Sequence, residues 1–344
     1  MLAGMGLDIT RSGLVVPVRI DPSGRAGPTP GQVRGRRWRT AGPYHFVPAD
    51  VALTTQQRIL EAVACLPPGS AATGWAALSW LEARWFDGVA ADGSALPVPV
   101  ALGDRRVARK RPGVTLSEDW LFADDVVVID GLPVTIPLRS VTFEARTASD
   151  DIAAVRAIDM AAYDDLVDLA SLHAYTARLI SRRGKRRLER ALAVADENAW
   201  SPMEVVMRRI WHQHRSGILL CNAPIFDLQG RHLFTPDLLD PVAGVAGDYD
   251  GVDHLEGGRH SRDLMREELT RRAGIEVVTM MAGRGEAARF RYRLDGALAR
   301  AAGPTVPRTW TLAQPDWWVD TSTVARRRAL TPAQREIWLR HRRT

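Results

Sequence analysis

The sequence contains only two cysteines, Cys65 and Cys221, which lie far apart along the chain. Two cysteines are too few for a disulfide-dense scaffold or for a zinc module built from several cysteine ligands. No uninterrupted apolar stretch approaches the roughly 18 residues of a membrane span, and the first residues lack a basic segment followed by an apolar run. We therefore expect a cytoplasmic protein with no transmembrane helix, no secretory signal and no membrane partner.

Lysine is almost absent as well, because Lys110 and Lys185 are the only lysines among 46 basic residues. An arginine-rich composition can reflect a GC-rich genome, so the placement of the arginines is more informative than their number. The segment from residue 11 to residue 39 contains seven arginines and one acidic residue. The last 24 residues also contain seven arginines, and Glu336 is their only acidic residue. Such clusters suit a polyanion, since each phosphate contact releases condensed counterions, although solvated faces and termini have the same composition.

The length of 344 residues exceeds what a single core usually supports, so we expect two domains. In the first part, Thr54 is a candidate helix cap, a second helix is expected over 72–85, and Asp130-Gly131 predicts the turn of a β-hairpin. Helix, helix and hairpin follow one another in winged-helix modules. We interpret residues 1–148 as a winged-helix-like α+β domain.

The second part of the chain begins with a helical pattern at Ser149, a candidate cap, and residues 149–199 are interpreted as a helical connector. Within residues 200–300 we expect the order helix, three strands, helix and strand (αβββαβ), with the first two strands over 218–226 and 232–239. Residues 301–344 form a basic C-terminal tail. The expected class is thus α+β, with an α/β-like C-terminal core.

Three aspartates distinguish that core. Asp237 lies in the second strand, and Asp248 and Asp250 flank Tyr249 at the end of the third, where strand alternation places them on one face. If the strands of Asp237 and Asp248 pair, their carboxylates converge on one hard cation, Mg²⁺ or Mn²⁺, which binds one or two carboxylates together with phosphate oxygens and water. His254 follows closely as a candidate proton carrier or phosphate contact.

At these residues the sequence resembles the PD-(D/E)xK restriction-endonuclease-like superfamily, and within it the branch similar to very-short-patch repair endonucleases. The resemblance covers about residues 200–282. It rests on Glu204, Asp237, the segment from Asp248 to His254, and a following helix with Asp263 and Arg266. It implies the αβββαβ core and a metal-dependent endonuclease that hydrolyses DNA. The implied metal ligands are Asp237 and Asp248, and the further catalytic groups are Asp250, His254 and Glu204.

The N-terminal half resembles, more loosely, an abortive-infection-type antitoxin domain, through Arg37-Trp38-Arg39, 126–135 and Pro137-Leu138-Arg139-Ser140. This resemblance implies a toxin or regulatory protein as a further partner. Arginines in the basic clusters and in the helix after the acidic segment are candidate nucleic-acid contacts: Arg34, Arg36, Arg37, Arg39, Arg262 and Arg266.

The sequence departs from the superfamily pattern at two positions. Asp250 stands where the superfamily commonly has lysine, and Asp248 stands where glutamate is commoner, so the carboxylate is one methylene shorter. An alternative hypothesis is therefore a DNA-binding regulator or antitoxin-like protein whose nuclease core does not cut, and a third is a protein-interaction module.

The individual residues also have structural interpretations. Glu204 is placed to be the capping-box partner of Ser201, and Asp237 can be a strand-end acid. Asp250-Gly251 is also a turn signal, and His254 can be a surface histidine. Trp317, Trp318 and Trp338 suit either base stacking or docking of the C-terminal tail.

Overall fold

A computed structural model describes residues 7–103, 108–251, 268–303 and 307–342. The chain divides into two compact units: Met1–Ala148 with Ser171–Glu189, and Ser149–Ala170 with Arg190–Thr344. Helices and several small sheets occur in both units, which confirms the predicted α+β class. The segment interpreted as a connector is divided between the two units.

The first unit begins with a small antiparallel sheet. Its strands are β1 (Val18–Arg19), β2 (Trp38–Gly42) and β3 (His45–Pro48), in the order β1-β3-β2. A short 3₁₀ turn, Gln32–Arg34, precedes β2. This sheet places the arginines at positions 34 to 39 on and just before one of its edge strands.

A five-stranded mixed sheet forms the larger part of the first unit, in the order β6-β5-β4-β8-β7. Its strands are β4 (Ala71–Ala72), β5 (Val98–Ala101), β6 (Val114–Ser117), β7 (Val126–Ile129) and β8 (Leu132–Thr135). The predicted hairpin is confirmed: β7 pairs with β8, and the turn residues Asp130 and Gly131 both have positive φ. The winged-helix likeness stays a prediction, and the sheet adds β4, β5 and β6 to the expected helix, helix and hairpin.

Three helices accompany this sheet: α1 (Thr55–Ala64), α2 (Gly74–Trp80) and α3 (Pro137–Thr147). Thr54 caps α1 as predicted, because its hydroxyl accepts the Gln57 N–H. The expectation that the second helix reaches residue 85 is wrong. Glu82 adopts a φ of 64°, and the Ala83 N–H returns to the Leu78 carbonyl, which closes the helix end.

The helices that follow are α4 (Asp151–Tyr163), α5 (Leu169–Arg178) and α6 (Lys185–Leu192). Asp150 caps α4 in place of the predicted Ser149. Its carboxylate accepts the Ala153 N–H at 2.8 Å, while the Ser149 hydroxyl donates to that same carboxylate. Aspartate prevails because an anion at a helix N-terminus also interacts favourably with the helix dipole.

The second unit contains a four-stranded sheet and a three-stranded sheet. Its elements are α7 (Pro202–His214), β9 (Leu220–Cys221), β10 (Ile225–Asp227), β11 (His232–Phe234), β12 (Leu238–Asp240), β13 (Val245–Asp250), β14 (Glu276–Met281), α8 (Glu286–Ala301) and β15 (Trp310–Thr311). Residues 268–273 are also helical. The sheet orders are β14-β13-β12-β9, with β13 and β14 parallel, and β11-β10-β15.

Two expected strands are each divided in the structure. Asn222, with a φ of 46°, and Pro224 interrupt the first, and Pro236, which has no N–H to donate, interrupts the second. Each of the segments 218–226 and 232–239 therefore contributes one strand to the four-stranded sheet and one strand to the three-stranded sheet. The prediction of three uninterrupted strands is wrong, although the order helix, strands, helix and strand is present.

Both faces of the four-stranded sheet are buried. One face packs against α7 and α8 through a cluster that includes Trp211, Leu238 and Phe290. The opposite face carries Leu239 and Ala246, which belong to a second apolar cluster. Alternation along the strands assigns each side chain of β12 and β13 to one of these faces.

The C-terminal segment belongs to the second unit and contains α9 (Val324–Arg328), α10 (Pro332–Trp338) and a 3₁₀ turn, Arg340–Arg342. Arg327 is fully buried: it pairs with Asp165 at 2.6 Å and donates to the carbonyls of Ala162 and Thr321. Ion pairs within the unit thus engage part of the basic charge of this segment. Across the described residues, no helix is both long and apolar enough to cross a bilayer.

The buried pair makes Arg327→Ala a sharp test of how the C-terminal segment is held. The substitution leaves Asp165 without its main partner, so we expect the free energy of unfolding to fall by about 3–5 kcal/mol. Arg326→Ala is the matched control, since Arg326 pairs with Asp320 at the surface and its loss should cost less than about 1 kcal/mol. Urea unfolding measures both values, and equal small losses would contradict the structural role of Arg327.

Candidate active site

Asp237 and Asp248 lie side by side in the second unit. The last pair between β12 and β13 is Leu238 with Gly247, so Asp237 stands one position further, next to Asp248. The Asp237 N–H donates to Asp248 Oδ1 at 3.4 Å, and the Tyr249 N–H donates to Asp237 Oδ2 at 2.7 Å. The strand pairing expected for these two acids is thus present, and backbone groups orient their carboxylates.

The sheet pattern determines the face on which the two acids lie. Asp237 and Asp248 alternate with Leu238 and Gly247, which face α7. An added Cβ at Gly247 would come within 2.8 Å of the Trp211 ring, so only glycine lets the helix approach this closely. The acids therefore lie on the opposite face. Asp250 follows on that same face at the strand end and is exposed.

Glu204 is buried in the first turn of α7. The Ser201 hydroxyl accepts the Glu204 N–H, but the Glu204 carboxylate accepts the N–H of Trp200 and the side-chain amide of Asn222, each at 2.7 Å. A capping box needs the carboxylate to accept the Ser201 N–H, so that interpretation is only half right. Burial, together with the negative charge of Asp237, raises the pKa of Glu204 to about 8 against these hydrogen bonds.

Asn222 connects Glu204 to the strand acids, and it was not among the candidates drawn from the sequence. Its side chain donates to Glu204 and to the Asn198 carbonyl, while its backbone N–H donates to the Asp237 carbonyl. The available signal was an asparagine next to Ala-Pro between two apolar stretches, because asparagine tolerates positive φ. Asn198 completes the connection by donating to the carbonyls of Cys221 and Asn222.

The donor set suits a hard divalent cation with few protein ligands. Asp237 and Asp248 supply carboxylate oxygens, and Mg²⁺ commonly binds one or two carboxylates and completes its octahedron with water and phosphate. Among the described residues, no group of three or more His, Cys, Asp or Glu side chains is arranged to hold a metal ion. The residues thus fit a two-carboxylate site. The candidates His254, Arg262 and Arg266 lie outside the described residues.

The arginine candidates of the first unit differ among themselves. Arg34, Arg36 and Arg37 are exposed, and within the described parts of the chain their side chains form no hydrogen bond or ion pair. Arg39 instead donates both terminal nitrogens to the Glu61 carboxylate, at 2.6 and 2.8 Å. Arg39 therefore has a structural role, because it joins β2 to α1.

Compared with known proteins, the chain matches no family model, no curated protein and no solved structure. The resemblance to the PD-(D/E)xK superfamily therefore stays a prediction.

The raised pKa of Glu204 predicts a specific dependence of stability on pH. The folded state retains the proton up to about pH 8, whereas an unfolded glutamate loses it near pH 4.5. This contribution to stability is full below about pH 4.5 and is lost as the pH rises through 8. Glu204→Gln keeps the neutral side chain, so in EDTA it should exceed the parent protein in stability at pH 9, by up to about 5 kcal/mol.

Denaturant unfolding at pH 4 and pH 9 measures the difference. At pH 4 we expect the two proteins to be nearly equal in stability, since both carry a neutral side chain there. A gap of the same size at both pH values would contradict the protonation of Glu204 and would point to altered packing.

Proposed function

We propose that this protein is a divalent-metal-dependent endonuclease that hydrolyses phosphodiester bonds in DNA, with its centre in the second unit. The observation that carries the proposal is the pairing of β12 with β13, which brings Asp237 next to Asp248 while Asn222 ties the buried Glu204 to the same place. Two carboxylates are thus adjacent, and a third carboxyl group is linked to them through Asn222. This arrangement suits a cation bridged to a phosphate.

Each residue of the centre has a distinct task. Mg²⁺ or Mn²⁺, when bound, supplies Lewis-acid activation of water and neutralises charge on the phosphate. Asp237 and Asp248 hold the cation, and the Tyr249 N–H keeps the Asp237 carboxylate in one orientation. Asp250, exposed on the same face, positions water or adds a ligand. His254, which follows in sequence, is proposed as the acid, base or phosphate contact.

Glu204 contributes a protonated carboxyl group that can ionise. Its Oε2 accepts two hydrogen bonds, so in the metal-free protein the proton resides on Oε1 at neutral pH. If Asp237 held a cation, the negative charge that helps burial to retain this proton would be offset. Glu204 therefore keeps the free site from accumulating three negative charges, and it can ionise when a cation arrives.

DNA is the proposed substrate because positive charge is concentrated in clusters separate from the acids. Arg34, Arg36 and Arg37 project from the first unit, and phosphate is the polyanion that exposed arginines bind most generally. We also propose that Arg262 and Arg266 contact DNA, since in sequence they follow the acidic segment. The cytoplasm, as expected from the sequence, is the proposed location.

The central test is cleavage of supercoiled plasmid with Mg²⁺, Mn²⁺ or EDTA. We expect cutting with either metal and none in EDTA. Asp237→Asn should lower the cutting rate at least about 100-fold, because loss of a metal ligand should cost at least as much as loss of a residue that supports a ligand.

Asp316→Asn is the control for charge. Asp316 is an exposed acid outside the site, and its substitution changes the net charge equally, so cutting should be unchanged. Plasmid cutting that persists at the parent rate in Asp237→Asn would remove the site assignment.

A second candidate is a DNA-binding regulator or antitoxin-like protein whose nuclease core does not cut, with a toxin or regulatory protein as partner. The observation that favours it is the exposed arginine group at positions 34, 36 and 37, which lies in a different unit from the acids. Binding through these arginines does not require a divalent cation.

Neutralising all three arginines tests this candidate. The Arg34→Ala, Arg36→Ala and Arg37→Ala triple variant should weaken DNA binding in EDTA and reduce the slope of log affinity against log salt by about 3, one phosphate contact for each arginine. Arg340→Ala, an exposed arginine in the second unit, should leave the slope unchanged. Fluorescence anisotropy at several salt concentrations provides the measurement, and an unaltered slope in the triple variant would rule these arginines out as DNA contacts.

A further inference from the structure

A cavity of about 270 Å³ opens in the second unit, and Asn222 is part of its lining. Its aromatic wall consists of Trp200, Trp318, Trp338 and His341. Trp200 stacks on His341 with ring centroids 3.9 Å apart, and Trp318 meets Trp338 edge-to-face at 5.0 Å. These ring contacts hold the wall in place.

The remaining lining contains the apolar residues Pro224 and Ile337 together with polar residues that carry little net charge. Asp320 lines it, yet this carboxylate is paired with the Arg326 guanidinium. Amide and hydroxyl groups provide the other polar contacts, among them Gln314, Asn222 and Thr235. Gln314 is exposed, and within the described residues its side chain has no hydrogen-bond partner, so its amide can bind a ligand.

The aromatic wall and the polar groups of the lining together indicate which kind of ligand the cavity can bind. Aromatic walls stack on planar rings, and amide groups bond to ring edges that carry both donors and acceptors. The volume lies below the range of about 300–1,000 Å³ that holds drug-sized ligands, so one small ring system is the suitable size. Paired charge in the lining disfavours a charged ligand. A nucleobase is neutral, planar and edged with donors and acceptors.

The cavity is also joined to the acids through two of its own residues. Asn222 donates to Glu204 and, through its backbone, to Asp237. Thr235 precedes Asp237 by two positions, a separation of about 7 Å along an extended chain. Two residues of the cavity lining are thus direct neighbours, in hydrogen bonding or in sequence, of the residues proposed to hold the metal.

We propose that this cavity receives an unpaired nucleobase of a DNA strand whose backbone lies at the acids. This rests on the proposed function, because it assigns to the same site a substrate with a base outside the double helix. A base enters such a pocket only after leaving its stack, and an unpaired base does so at the least cost. Duplex ends, single strands and extrahelical bases share this chemistry.

Binding experiments in EDTA test the proposal without cleavage. The full-length protein is titrated by anisotropy with three labelled DNAs of equal length: a paired duplex, the same duplex with one extrahelical adenine, and that duplex with an abasic residue in place of the adenine. We expect the extrahelical adenine to bind about 10-fold or more tightly than the abasic DNA, since the two differ only in the base. A single strand of the same sequence shows whether a duplex is needed.

Two variants locate the effect. Trp318→Ala should abolish the preference for adenine over the abasic DNA. Trp317→Ala is the matched control, because Trp317 touches the same aromatic group but does not line the cavity. If Trp318→Ala fails to fold, Gln314→Ala takes its place, and a several-fold loss of the preference is expected. Preference unchanged in the folded variant would overturn the proposal.

The outcomes separate this proposal from the proposed function. Equal binding of the adenine and abasic DNAs overturns the cavity assignment, even if plasmid is cut with Mg²⁺ and through Asp237. Preference for adenine that persists in Asp237→Asn, with no cutting by the parent protein, supports the cavity and removes the nuclease function. Undetectable binding of every DNA in EDTA overturns the cavity assignment, and it removes both proposals only if plasmid is also not cut with Mg²⁺ or Mn²⁺.

Discussion

The pairing of β12 with β13 is the constraint on which the second unit depends. β13 is an interior strand, because β14 pairs along its other edge, and both faces of the sheet are covered by apolar clusters. A slip of β13 by one residue would exchange its two faces, moving Ala246 out of its cluster and Asp248 into the core beside Trp211. The apolar pattern thus fixes the register, and the register places Asp237 next to Asp248.

Asp237 lies beside Asp248, and its negative charge also acts on Glu204, which is unfavourable unless that charge is reduced. The protein relieves this in two ways: it directs backbone N–H groups at Asp237 and Asp248, and it leaves Glu204 protonated. A divalent cation would provide a third way to reduce the negative charge. The raised pKa of Glu204 follows first from its burial and then from the negative charge of Asp237, and the proposed cation would offset that charge.

Much of this arrangement was predictable from local patterns, and the rest depended on contacts distant in sequence. The Asp130-Gly131 turn, the cap at Thr54 and the proximity of Asp237 to Asp248 follow from turn chemistry and strand alternation. The role of Asn222 was not predictable, since its partners Asn198 and Glu204 come from a loop and a helix. The pairing of Arg39 with Glu61 could not be predicted from the sequence for the same reason, because only the fold brings β2 to α1.

The divided strands have a consequence for the way in which the second unit unfolds. β9 and β10 are consecutive but belong to different sheets, and the same is true of β11 and β12. Two short connections, β9 to β10 and β11 to β12, join the two sheets. If one sheet unfolded alone, these connections would still restrain its strands, so partial unfolding would gain little conformational entropy. The two sheets should therefore melt in a single cooperative transition, although each is small enough to be marginal alone.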